Sequence, residues 1–121
     1  MYVNKIEDVI DYLPHFDLAL ALTDNIESRL VVERKYKTLH AMVQPSHGML
    51  LLTTDDVKLS NIMRKGEYRG DQDVTMVMMV SSIAAREALK YLKSGHSEIE
   101  GRLMLVSPYR FEIIDLGGYK A

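Results

Sequence analysis

The sequence predicts one α/β domain of three layers, with a mostly parallel sheet and an antiparallel hairpin at its C-terminal end. Two observations lead there. Apolar runs of strand length, residues 16–22, 49–53 and 74–80, alternate with segments carrying apolar residues at helical spacing. That is the pattern of βαβ units joined by right-handed crossovers. Residues 99–106 and 109–116 then form two strand-like runs separated only by Ser107 and Pro108, which reads as a hairpin. An α+β fold with a mixed sheet is the alternative, and it follows if residues 30–36 form a strand rather than a helix.

Taken in order, Ile6, Val9, Ile10 and Leu13 share a helical face opposite Glu7, Asp8 and Asp11. Asn4 is placed to cap this helix and Pro14 to end it. Residues 16–22 read as a buried strand, punctuated by Thr23, Asp24 and Asn25. Residues 26–43 carry two signals. A helix capped from residues 23–25 would run through Ile26, Leu30 and Val31. The β-branched run around Val31 and Val32 equally suits an exposed strand, followed by a hairpin across residues 44–48. The helix is the reading adopted.

Residues 49–53 form the next expected strand. Leu59, Ile62 and Met63 then mark a helical face, with acidic residues before it, Arg64 and Lys65 at its end and Gly66 beyond. Residues 67–72 read as a polar connection. The most complete unit spans residues 73–95. There a strand over 74–80 leads to Ser81 or Ser82 as N-cap, then to a helix with Ala85, Ala88, Leu89 and Leu92 on one face. Lys90 and Lys93 suit its last turn, and Gly95 its C′ position. Residues 117–121 are expected to form a flexible tail, leaving 1–116 as the globular domain.

Composition narrows the function classes. Hydrophobic residues make up 47% and charged residues 26%, a globular rather than disordered balance. Cysteine is absent, which removes disulfides, thiolate metal sites and a cysteine nucleophile. No apolar run approaches the roughly 18–20 residues of a membrane helix, so no membrane partner is expected. The expected location is cytoplasmic, since neither disulfides nor a signal-like amino terminus is evident. The net charge of −2 argues against general nucleic-acid affinity. Eight methionines suggest an adaptable core.

In an open α/β sheet, ligands bind beyond the carboxyl ends of the strands, next to helix starts that offer free N–H groups. This rule selects Thr23, Asp24, Thr54, Asp55, Ser81 and Ser82 as ligand-binding candidates, although the same residue types also serve as helix caps. Arg64 and Arg69 are candidates to grip a phosphate. No resident cofactor is expected; magnesium held by Asp24, Asp55 and Asp56 would be the exception. His15, His40, His47 and His96 lack metal-ligand spacing. His47, beside Ser46, looks catalytic, but it falls at the amino end of a strand and reads as a turn residue. No Gly-rich phosphate loop and no GxSxG occurs.

These features favour a small regulatory or binding module, homo-oligomeric through the open edge of the final hairpin. Its ligand would be a small anion, phosphate- or nucleotide-like. The alternative is an enzyme acting on a phosphorylated or nucleotide-like substrate, with Asp24, Asp55 and Ser81 or Ser82 as working groups. Nucleic-acid binding through Arg34, Lys35, Arg64 and Arg69 ranks third.

Overall fold

Residues 10–22, 26–44, 47–62 and 74–115 are described by the structure, a computed structural model. A 3-10 turn at Ile10–Tyr12 leads to β1 (Ala19–Ala21), α1 (Ile26–Lys35), β2 (Thr38–Val43) and β3 (Gly48–Leu52). Next come α2 (Leu59–Ile62), α3 (Val74–Ser94), β4 (Arg102–Ser107) and β5 (Arg110–Asp115). The strands form one five-stranded sheet in sequence order, β1-β2-β3-β4-β5. Among these five strands, β1 and β2 pair in parallel and the other neighbours are antiparallel.

The sheet is therefore mixed and mostly antiparallel, which corrects the expectation of a mostly parallel one and matches the α+β alternative. The helix reading holds from Ile26 to Lys35, so the change comes not from a strand at 30–36 but from two other places. Residues 26–43 contain a helix and then a strand, with β2 turning back into β3 where the Gln44 N–H reaches the His47 carbonyl at 2.7 Å. Residues 74–80, expected as a strand, are the first two turns of the 21-residue α3. Ser81 and Ser82 accordingly lie inside that helix and cap nothing. Met76, Val80, Ile83, Ala84, Glu87 and Ala88 form its buried face. Val74 and Met78 point to solvent, and their apolar character is what completes the strand-like run.

Helices pack on both faces of the sheet. On one face α3 packs across β2 and β3, burying Leu39, Ala41, Leu50, Leu52, Met76, Val80, Met104 and Val106. On the other, α1 and α2 enclose Ile26, Met42, Leu51, Val57 and Leu59. β3 is covered on both sides, so Leu50, Leu51 and Leu52 are 0%, 0% and 1% exposed. A continuous apolar run is what a strand between two layers requires, and each such leucine contributes about 1.5–3 kcal/mol by burial.

Gly48 brings α3 close to the sheet: a Cβ there would lie 2.1 Å from Val80 Cγ2. Gly95 ends α3 in the left-handed region at φ +79°, with its N–H on the Tyr91 carbonyl at 2.7 Å, as the sequence predicts for C′. The C-terminal hairpin is present as β4 and β5, beginning at Arg102 rather than residue 99. The expected first helix falls mostly on residues outside the described set; only Ile10–Tyr12 is seen, as a 3-10 turn. The polar connection at 67–72 and the tail at 117–121 also lie outside it.

Candidate functional site

Of the strand-end candidates, Thr54, Asp55, Ser81 and Ser82 fall within the described residues, and they form two separate groups. Thr23, Asp24, Arg64 and Arg69 lie outside the described residues. Thr54 and Asp55 follow the carboxyl end of β3, where the Thr54 hydroxyl accepts the Val57 N–H at 3.0 Å and closes a turn. Ser81 and Ser82 sit exposed in α3, next to Val80, which packs on Gly48 at the amino end of β3. The five residues of β3 separate the two groups, roughly 16 Å of strand at about 3.3 Å per residue. The cause is that residues 74–80 are helix and not strand, so Ser81 and Ser82 follow no strand end and lie over the amino end of β3. Among the described residues no three His, Asp or Glu side chains converge as a metal site. With Asp24 outside that set, the magnesium expectation is left with Asp55 and Asp56. His47 immediately precedes β3, as expected.

A different concavity is present at the other end of α3. A cleft of about 400 Å³ is lined by His15, Phe16 and Asp17, by Lys35, Tyr36 and Lys37, and by Tyr91, Leu92 and Gly95. Local sequence explains each wall. Lys35–Tyr36–Lys37 is the link between α1 and β2: the Tyr36 N–H closes α1 on the Val32 carbonyl, and the Lys37 carbonyl receives the Ala19 N–H that opens the β1–β2 ladder. Pro14 and His15 lead the chain into this ladder, and the Tyr36 hydroxyl donates to the Pro14 carbonyl. The third wall is the end of α3, with Tyr91 and Leu92 in its last turn and Gly95 just beyond.

The cleft combines charge with flat rings. Lys35 Nζ donates to the carbonyls of Ile10 at 2.6 Å and Leu13 at 2.9 Å, and lies 5.3 Å from the Tyr36 ring centroid. Lys37 Nζ pairs with Glu100 and lies 5.0 Å from the Tyr91 ring. Phe16 and Tyr36 are tilted against each other at 5.7 Å between centroids. Each ammonium has three N–H donors, so beyond these hydrogen bonds Lys35 keeps one and Lys37 two.

Behind this region lies a buried polar relay that sequence reading missed. Arg29 and Glu33, four residues apart on α1, are each 3% exposed, and His40 on β2 is wholly buried. His40 Nε2 donates to Glu33 Oε1 at 3.0 Å. Glu33 also accepts the backbone N–H groups of Leu59 at 2.7 Å and Ser60 at 3.0 Å, which caps α2. On its other side His40 Nδ1 faces the Arg29 guanidinium at 3.5 Å. That arrangement fixes the neutral tautomer with its proton on Nε2. Arg29 donates to the Ala21 and Ala41 carbonyls, tying the three-residue β1 to β2.

Burial pushes the Glu33 carboxyl up, but the bonds from His40, Ser60 and Leu59 outweigh it, and its pKa falls below the ordinary value. Burial also depresses His40, helped by the Arg29 charge and only partly opposed by Glu33. The relay is sealed from solvent, so its chemistry is structural: it joins α1, α2, β1 and β2. Its signal in the sequence was negative. Arg29 and Glu33 sit on a helix with no apolar stripe, and charged residues at buried positions defeat an argument from hydrophobic periodicity.

Fold and cleft together define a small mixed-sheet domain with a cationic, ring-lined surface pocket. Compared with protein-family models, curated proteins and solved structures, the chain matches none. No helix among the described residues is long and apolar enough to cross a membrane.

Proposed function

We propose that this chain is a non-catalytic binding module whose ligand is a small anion carrying a flat ring, nucleotide-like in its chemistry. The observation that carries this reading is the placement of Lys35 and Lys37 beside Phe16, Tyr36 and Tyr91 around one cleft. Ammonium groups attract a phosphate or carboxylate as point charges. Phe16, 48% exposed and backed by the buried Tyr36, offers a ring on which a heterocycle stacks, worth about 1–3 kcal/mol per base where such contacts have been tested. Asp17 offers an acceptor for ligand hydroxyls. The volume lies within the range of about 300–1,000 Å³ for small-molecule pockets. The ligand class is the one expected from the sequence, and the cleft at the α1–β2 link and the end of α3 is the seat we assign to it.

The test is calorimetric titration of the purified protein with a nucleoside 5′-monophosphate and, separately, with inorganic phosphate, while assaying for turnover. Saturable nucleotide binding without turnover, weakened at least tenfold by Phe16→Ala, supports the reading. Turnover of the nucleotide would move the protein to the enzyme class. No heat with either probe up to millimolar concentration would remove the cleft as a site for this ligand class.

A further inference from the structure

We infer that the free edge of β5 is a self-association surface, and that two copies of this chain pair there as antiparallel strands about a two-fold axis through Phe111. Among the described residues the sheet ends on β5, which pairs there only with β4. An open strand edge is a template for another strand. β5 also carries exposed apolar side chains: Phe111 is 60% and Ile113 45% exposed, and Tyr109 in the adjoining turn is 98% exposed. Phe111 and Ile113 lie on the same face as their β4 partners Val106 and Met104, beyond the area of β2 and β3 that α3 covers.

Hairpin geometry sets which groups are available. Ser107 and Arg110 pair across the two-residue turn Pro108–Tyr109, so the backbone N–H and C=O of Arg110, Glu112 and Ile114 point toward β4. Those of Phe111, Ile113 and Asp115 point outward, because the direction alternates along an antiparallel strand. A two-fold axis at Phe111 therefore sets its N–H and C=O against the same groups of the partner's Phe111, in a reciprocal hydrogen-bonded pair.

The side chains choose the register. With Phe111 on the axis, Arg110 stands opposite the partner's Glu112, and Glu112 opposite the partner's Arg110. Tyr109 and Ile113 are likewise matched across the axis, apolar against apolar. Arg110 and Glu112 take part in none of the ion pairs found within the described residues, and both are exposed. Neighbouring registers are worse. An axis at Glu112 sets that carboxylate against itself, which is destabilising. An axis at Ile113 puts Phe111 opposite the partner's Asp115. The pairing is isologous and closes at two copies. A short strand edge with three flanking apolar pairs falls below the roughly 1,200 Å² of stable interfaces, so the dimer is expected to depend on concentration.

Sedimentation equilibrium from micromolar to millimolar protein tests this directly. The expected result is a mass rising from 13.8 kDa toward twice that value. Arg110→Glu and Glu112→Arg each place like charges opposite and are expected to weaken the dimer at least tenfold. The double swap re-forms both ion pairs in reversed order and is expected to restore it. A monomer at every concentration overturns the inference, as does a dimer indifferent to Arg110→Glu. Failure of the double swap to recover, with unchanged circular dichroism, overturns the register.

Discussion

Glu33 accepts three hydrogen bonds in the interior, one from the His40 imidazole at 3.0 Å and two from the first N–H groups of α2. Two short helices and the second strand thus converge on one carboxylate. Three donors on two oxygens require an acceptor-only group, which a carboxylate is and an amide is not.

Glu33→Gln therefore turns an N–H toward a donor and is expected to cost about 1–3 kcal/mol, the usual penalty of a buried polar group left unmatched. Glu33→Ala removes all three bonds and is expected to cost about 2–4 kcal/mol. Urea denaturation measures both. Equal stability of wild type and Glu33→Ala would show that the relay does not hold the layers together.

Acid stability follows from the same groups. His40 is depressed below its ordinary value of 6.5, so the unfolded chain takes up a proton before the folded one does. Stability is full above about 6.5 and is lost as pH falls toward the folded value. Glu33 is also depressed, from an ordinary 4.5, and its contribution is lost as pH falls below about 4.5. Urea midpoints are expected to drop in both windows. In His40→Gln the loss between pH 7 and 5 should flatten while the lower window persists. A wild-type profile level from pH 8 to 5 would contradict a buried neutral His40.

Both apolar patterning and glycine chemistry were readable in the chain. The apolar run at residues 49–52, the Gly95 stop and the final hairpin each had one physical cause, and each is present. Residues 74–80 defeated the reading because Val74 and Met78 are exposed apolar residues, so the helical stripe was masked by its own solvent face. The parallel expectation for the sheet failed with it, since strand direction follows from which segments are strands. The cleft was legible only as Lys35 and Lys37, which with Arg34 make a charge run that looks like a wet helix end. Its rings come from residues 16, 36 and 91, which only the fold brings together.

Close packing at Gly48 makes a third prediction. Gly48→Ala forces a methyl into the space held by Val80 Cγ2. Val80 is 2% exposed, so it has little room to move, and overpacking of this kind costs about 1–3 kcal/mol. Val80→Ala alone should also destabilise, by leaving a cavity. The double variant is expected to be more stable than the sum of the two losses predicts, the sign of a shared contact in a double-mutant cycle. Strict additivity would mean that α3 shifts away from the sheet at this point.

The two cleft lysines should separate stability from binding. Lys35 Nζ holds the carbonyls of Ile10 and Leu13, so it anchors the segment that carries His15 and Phe16. Lys35→Met is expected to lower stability by about 1–2 kcal/mol, because two charge-assisted bonds are lost and one of them is partly buried. The same change should weaken nucleotide binding, through both the lost charge and a displaced Phe16. Lys37 differs. Its pair with Glu100 is about a quarter exposed on each side, and such pairs contribute only about 0–1 kcal/mol. Lys37→Met should therefore leave the urea midpoint nearly unchanged while lowering affinity for a nucleoside monophosphate several-fold, with the loss shrinking as salt rises. If Lys37→Met bound the nucleotide as wild type does at low salt, its ammonium would be a tether for Glu100 and Tyr91 alone.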